Sequence, residues 1–306
     1  MTNDILQQEN PTSRLETHAS ALEKAMPTES NASSLEKAMP AESNASPMEK
    51  ASPTESNAGP MEKVGRYGFL AEPFHCDFGG RLFLGHLGNH MLNAADFHST
   101  ARGFGMSYLQ TINRAWVLSR LAIEMDRMPR QYDRFTVETW VESAMRYFTS
   151  RNFCVVGDDG APLGYGRSIW AMIDTASRQP TDIFSIDDGA VCQWIEKDKP
   201  CPIEKGGRVK MPEGASLVRS IDTYYNDVDI NGHINSVKYI EHLLDLWPLE
   251  WYRLHRVHRL EIAYVAEAHG GDRLDFYRVS TGPLEADVEV RKNGVEPVCR
   301  ARVEFV

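Results

Sequence analysis

From residue 67 onward the chain alternates between runs of period two and runs of period 3.6. YGFLAEPFHCDFGGRLFL (67–84) reads as a strand, a Gly79-Gly80 turn and a second strand. In LGNHMLNAADFHSTARGFG (87–105), Leu87, Met91, Leu92, Ala95 and the run from Phe97 to Ala101 fit helical spacing, and Gly103 and Gly105 end the helix. Four strand-like runs follow: NRAWVLSRLAIEMD, DRFTVETWVESA, SRNFCVVGDD and YGRSIWAMID, with Gly157-Asp-Asp-Gly160 as a hairpin turn. After a charged stretch rich in Pro and Gly at 196–215, the plan repeats. DVDINGHINSVKYIEHLLD (227–245) leads into a helix, and HRLEIAYVAEA, DRLDFYRVS, EADVEVRK and VCRARVEFV read as strands. Gly85-His-Leu-Gly-Asn89 before the first helix echoes Gly232-His-Ile-Asn-Ser236 before the second. The pattern predicts an α+β fold: two long helices, each wrapped by antiparallel sheet, with units at 64–195 and 216–306 joined by a linker at 196–215.

The first sixty residues have neither period. LEKAMPTESNASS (22–34) returns as LEKAMPAESNASP and MEKASPTESNAGP at intervals of 13. Each copy carries one or two large apolar residues and a proline, too little apolar surface to offset the entropy of ordering. Residues 1–63 are therefore expected to be a disordered tail, with a tether or docking arm as the functional alternative. This tail carries ten acidic and five basic residues, half of the net charge of −10. The remainder is mildly acidic without a basic run, which argues against nucleic acid as the main partner.

The chain has no apolar run of 18 residues, so no membrane span is expected. Its first residues, MTNDILQQEN, lack the basic and apolar regions of a secretory signal and are acidic and Arg-poor, unlike a transit peptide. Cys76, Cys154, Cys192, Cys201 and Cys299 are scattered and form no CxxC pair. They read as reduced thiols in a cytoplasmic protein without a zinc site.

The candidate chemistry lies in the second polar run. Asp227, Asp229, Asn231, His233 and Asn235 alternate with Val228, Ile230, Gly232 and Ile234, which puts five polar side chains on one face of an extended chain. Asn235 or Ser236 is a natural N-cap. Val237, Ile240, Leu244 and Trp247 then form a helical stripe that Pro248 ends. The polar face thus enters a helix N-terminus, whose free N–H groups favour developing negative charge. A half-exposed strand running into a cap is the bland alternative. A calcium loop is another: Asp227-x-Asp229-x-Asn231-Gly232 matches the start of an EF-hand. Its twelfth position, however, holds Lys238 where a bidentate Glu is needed.

A hydrolytic reading assigns a role to each group. Asp229 is a base or orients one, the Asn231 amide donates to a carbonyl or positions water, and His233 shuttles a proton. Glu267, in the otherwise apolar YVAEAHGGD, is the candidate second carboxylate, against the alternative of a solvated strand end.

These residues resemble the signature of the acyl-acyl-carrier-protein (acyl-ACP) thioesterases: an Asp-x-Asn-x-His-x-Asn run leading into a helix with a Lys-Tyr pair, here Asp229, Asn231, His233, Asn235, Lys238 and Tyr239. RLAIEMDRMPRQYDRFTVETWVESAMRYFTSRNF and SIWAMIDTASRQP resemble two further blocks of that family, in the right order, so the resemblance covers about residues 67–306. It implies a double hotdog fold, hydrolysis of the thioester between a fatty acyl chain and acyl carrier protein, and no metal or organic cofactor. By the same resemblance the catalytic residues are Asp229, Asn231, His233 and Glu267. Plant members carry Cys after that Glu, whereas this chain has Ala268, which favours activated water over a covalent acyl-enzyme.

The resemblance further implies that the first unit holds the acyl chain. Met91, Phe97, Trp116 and Leu118 would line the pocket or else form ordinary core. The implied partner is acyl carrier protein, which is acidic, so Lys238, Arg253, Arg256 and Arg259 are candidates for a local basic docking face. A homodimer is compatible with this reading. The alternatives are an acyl-CoA thioesterase of the hotdog class, a less favoured hotdog dehydratase, and a non-catalytic acyl-binding module.

Overall fold

One five-stranded unit is built twice. The computed structural model describes residues 61–207 and 209–306, so the repeat tail expected to be disordered lies almost wholly outside the described residues. The first unit comprises β1 (Gly65–Leu70), β2 (Arg114–Met125), β3 (Arg134–Ala144), β4 (Phe148–Gly157) and β5 (Pro162–Asp174), laid side by side as β1-β3-β4-β5-β2. The second comprises β6 (Ser216–Asp222), β7 (Val257–Tyr264), β8 (Arg273–Gly282), β9 (Glu285–Lys292) and β10 (Glu296–Phe305), in the corresponding order β6-β8-β9-β10-β7. β2 pairs antiparallel with β7, with Leu121 opposite Ile262 and Ile123 opposite Leu260, and fuses the units into one ten-stranded sheet. This is a tandem hotdog, with the inner sheet face closed over two central helices.

Helix α1 (Leu84–Ala101) lies in the first unit, followed by the short α2 (Met106–Thr111). In the second, α3 (Ser236–Leu244) is followed by α4 (Leu249–Leu254). Leu84, Leu87, Met91, Ala94, Ala95 and His98 form the buried stripe of α1, and Gly103, at φ 83°, turns the chain away beyond it. The helices are unequal, contrary to the expectation of two long ones: α1 has 18 residues and α3 has 9. Trp247 is not on α3, because the residue before a proline is pushed out of the helical region, and Pro248 instead caps α4.

The expected echo at Gly85-His-Leu-Gly-Asn89 also changes meaning. It lies inside α1, where Gly85 and Gly88 let α1 approach α3. A Cβ on Gly85 would sit 2.8 Å from Glu241 Cγ, and one on Gly88 would sit 3.5 Å from Ile240 Cδ1.

The strands carry the alternation that a one-sided sheet needs. Val288 and Val290 of β9 belong to the main core, which draws on both units, and Ala286 on the same face is buried. Asp287 and Glu289 point to the other face. Asp287 takes Nε and Nη2 of Arg302 at 2.8 and 2.9 Å, and Glu289 takes Arg291 and Arg300 at 2.7 Å each. The four residues expected to line an acyl pocket do not form one wall. Met91 and Leu118 belong to the main core, Trp116 packs on a separate cluster around Phe104 and Leu109, and Phe97 is 36% exposed. A helix periodicity alone does not say which residues at its edges reach the core.

Two predictions follow from this packing. Gly88→Ala meets ordinary van der Waals contact and gains about 1 kcal/mol of helix propensity, raising Tm by about 2–4 °C. Gly88→Leu overpacks the helix crossing and costs about 1–3 kcal/mol. Calorimetry of both checks this, and a Leu variant as stable as the Ala variant contradicts tight crossing. The second concerns His90, whose Nε2 is buried without a hydrogen-bond partner beside the Phe69 ring. Burial lowers its pKa to about 4, and burial with Arg151 and Arg102 lowers that of His98 to about 2. Both rings stay neutral in the fold where the unfolded chain already takes up protons. Their contribution is therefore complete above about pH 6.5 and is lost as pH falls below it, down to about 4 for His90. Melting temperature against pH declines less steeply over this window in His90→Leu than in the wild type.

Candidate active site

The polar run at 227–235 is a knot of turns and not an extended face. Tyr225–Asp227 is a single 3-10 turn, Val228 and Ile234 bridge antiparallel, and Gly232 at φ 81° reverses the chain between them. The five polar side chains consequently take separate tasks. Asp227 is buried, accepting from Tyr224 N–H at 2.8 Å and lying 2.9 Å from His242 Nε2. Asp229 Oδ1 accepts the backbone N–H of Asn231 at 2.8 Å and of His233 at 3.3 Å. The Asn231 amide is exposed and donates to Asp229 Oδ2 at 3.4 Å. Asn235 is the N-cap of α3, accepting from Val237 N–H at 2.9 Å, as its residue type predicts. Of the five, His233 is the one that turns toward Glu267.

The first unit repeats this loop with other side chains. Cys76 and Leu82 bridge as Val228 and Ile234 do. Gly80, at φ 69°, stands in the place of Gly232. Asp77 Oδ1 accepts from Gly79 N–H at 2.8 Å and Arg81 N–H at 2.9 Å, as Asp229 does from Asn231 and His233. Asp77 is therefore matched by Asp229, Gly79 by Asn231 and Arg81 by His233. The internal echo is real but sits five residues earlier in the first unit than the sequence suggests, because Gly85-His-Leu-Gly is helix. In the first loop Arg81 folds back onto Asp77 at 2.9 Å, and the loop is closed on itself.

Glu267 stands three residues beyond the end of β7, in the loop that carries the chain to β8. Ile234 N–H donates to Ala268 O at 2.8 Å, which ties this loop to the polar knot. Lys292 Nζ donates to Glu267 O at 3.2 Å. Glu267 Oε2 then lies 3.3 Å from His233 Nε2, so the two residues proposed from sequence meet. Ala268 is buried in the core, so a side chain at that position faces inward.

Two residues at this site escaped the sequence reading. His269 sets its ring edge-on to His233, centroids 5.0 Å apart. Arg178, from the turn after β5 in the first unit, pairs with Glu267 Oε1 through Nη2. His269 was signalled only by its place two residues after Glu267. Arg178 ends the SIWAMIDTASR block, which carried no chemistry when read alone.

The arrangement offers a half-exposed carboxylate, an imidazole in contact with it and an exposed amide, and the same loop forms an open depression lined by Tyr225, Asn226, Val228, Asp229 and Ile230. Among the described residues, ligand atoms of His233, Glu267 and His269 lie within 4.8 Å of one another, a set that could converge on a metal ion, although the Arg178 guanidinium occupies one oxygen of Glu267. The carboxylates of Asp227 and Asp229 are engaged by different partners and do not converge as calcium ligands.

Residues 67–186 match the acyl-ACP thioesterase N-terminal domain, and residues 211–306 match the C-terminal domain of the same family. An acyl-ACP thioesterase from Bacteroides thetaiotaomicron is similar in structure, with 51% identity, coverage of 80% of this chain and 98% of that one, and a TM-score of 0.76. A 12:0-ACP thioesterase from Umbellularia californica shares the fold at 21% identity and TM-score 0.70, over 81% of this chain and 99% of that one. The chloroplastic palmitoyl-acyl carrier protein thioesterase of Gossypium hirsutum is 26% identical over 189 residues, 58% of this chain and 46% of that protein. The chain spans about half the length of the curated relatives it matches. With both domains present in order around a duplicated hotdog, the chain belongs to the acyl-ACP thioesterase family.

Proposed function

We propose that the protein hydrolyses the thioester of fatty acyl-acyl carrier protein and releases the free fatty acid, ending chain synthesis. The observation that carries this reading is the meeting of His233 Nε2 and Glu267 Oε2 at 3.3 Å beside the N-terminus of α3, in a chain of this family.

Glu267 takes a proton from water, and the resulting hydroxide attacks the thioester carbon. The carbonyl oxygen becomes an oxyanion, for which the exposed Asn231 amide and the positive end of α3 are the available stabilisers. As the C–S bond breaks, the sulfur leaves with a proton relayed through His233. The products are a carboxylic acid and the carrier thiol. Asp229 has a different part: its Oδ1 accepts two backbone N–H groups, and Asp77 Oδ1 does the same in a loop with Gly79 and Arg81 in place of Asn231 and His233, so Asp229 shapes the loop that presents His233. The cytoplasmic location expected from the sequence belongs to the same proposal.

Turnover of a panel of acyl-ACPs, with the matching acyl-CoAs for comparison, tests the reading. Glu267→Gln lowers kcat by about 10²–10⁴-fold. His233→Ala does likewise. Asp229→Asn retains an oxygen that can accept the same N–H groups and stays within about tenfold of wild type, since a loop staple lacks the 10²–10⁴-fold effect of a general base. Loss of activity in Asp229→Asn with full activity in Glu267→Gln would reverse these roles, and equal turnover of acyl-CoA would remove the carrier protein from the specificity.

Arg253 is the cation best placed for docking. It is exposed and its guanidinium lies over the Phe78 ring at 5.4 Å, whereas Lys238 pairs with Glu241 at 2.6 Å, Arg256 donates to Met125 O, and Arg259 is buried between Glu124 and Glu261. Arg253→Glu raises KM for acyl-ACP and weakens its salt dependence, with kcat unchanged. Steady-state kinetics across a salt series would show a docking role to be wrong if KM did not move.

A further inference from the structure

We propose that Arg178 is a positioning residue for the reaction: the first unit supplies it to hold Glu267 at the angle that serves His233. The inference rests on the assignment of Glu267 as the base.

Two independent observations carry it. The first is the ion pair itself, formed between residues 89 apart and in different units. Glu267 has two carboxylate oxygens, and the structure gives each a partner: Oε1 meets Arg178 and Oε2 meets His233. A carboxylate on a loop can otherwise rotate about its terminal torsion, which is broad. A cation fixed on one oxygen removes that freedom and leaves the other directed at the imidazole.

The second is the turn that presents Arg178. Asp174, the last residue of β5, accepts from Ala176 N–H at 3.0 Å, Ser177 N–H at 2.8 Å and Ser177 Oγ at 3.0 Å, and also pairs with Arg114. Asp174 N–H donates to Gln179 O and Arg178 N–H donates to Asp174 O, both at 2.9 Å. These bonds hold Arg178 at φ 60°, a conformation that residues with a side chain adopt rarely and that collects at functional positions. A surface turn with no task would be relieved by glycine at that position.

Both partners are substantially exposed, so the pair contributes little to folding. Its effect therefore falls on rate and not on stability, which separates positioning from a structural role. It also separates positioning from docking, because a docking cation acts on KM for the carrier protein alone.

The test uses the full chain with acyl-ACP and with a carrier-free acyl-pantetheine thioester. Arg178→Ala lowers kcat by about 10- to 100-fold on both substrates, the order expected for a misplaced reacting group. KM stays nearly constant and Tm moves little. Arg178→Lys, which keeps charge but not the planar fork, recovers part of the rate, and free guanidinium ion recovers part of it in Arg178→Ala. An active wild type with an unchanged kcat in Arg178→Ala overturns this inference alone, as does a defect confined to KM for acyl-ACP. A wild type that turns over neither substrate overturns the hydrolase reading, and a fully active Glu267→Gln overturns the base assignment, each taking the inference with it.

Discussion

The seam between β2 and β7 decides where everything else can go. Each unit alone would leave two strand edges unpaired, and joining β2 to β7 removes one from each and makes a single sheet over both helices. The seam also aligns the site. β5 and β7 are both antiparallel to β2, so they run in the same direction and end at the same rim of the sheet. Asp174 of β5 lies opposite Arg114, and Ala263 of β7 lies opposite Arg120. β5 thus overshoots β7 by about five residues, on the order of 17 Å at the usual rise. The stapled turn after Asp174 bends the chain back, and Arg178 on it meets Glu267 in the loop after β7.

Duplication explains why one unit carries the candidate site. The same aspartate-stapled turn occurs twice, with glycine at positive φ at the same place. In the first copy Arg81 is long enough to fold back and satisfy Asp77. In the second copy the shorter His233 leaves Asp229 to the backbone and the Asn231 amide and turns toward Glu267. The contact that follows the turn differs as well. Leu82 N–H donates to Pro129 O where Ile234 N–H donates to Ala268 O, so Met128 occupies in the first unit the place that Glu267 holds in the second. The scaffold is common to both, and three exchanges, Gly79 for Asn231, Arg81 for His233 and Met128 for Glu267, separate the closed loop from the candidate site.

Much of this was legible in the amino-acid sequence, since strand alternation and the α1 stripe are local patterns. Asn235 was readable as a cap, and His233 and Glu267 as candidates, Glu267 because a carboxylate in an apolar run needs a reason; the fold brings the two together. The period-two reading of 227–235 failed for a local cause: Asx-type bonding by Asp229 and the left-handed Gly232 compete with extension. Helix α3 stopped short because Pro248 acts on the residues before it as well as on itself. Arg178 was beyond reach for a different reason. Its partner is 89 residues away, and only the sheet order brings the two together.

The division of labour among the carboxylates follows from which of their oxygens the fold occupies. Asp227 is enclosed by His242 and a backbone amide, and Asp229 takes two backbone N–H groups on Oδ1 and the Asn231 side-chain amide on Oδ2, so both carboxylates are committed within their own loop. Glu267 is held from the far side by Arg178 and from behind through its own carbonyl by Lys292, and its remaining oxygen faces the imidazole. The neighbouring Ala268 points into the core. A side chain at that position is directed into the core, which supports the proposed use of activated water over a covalent nucleophile there.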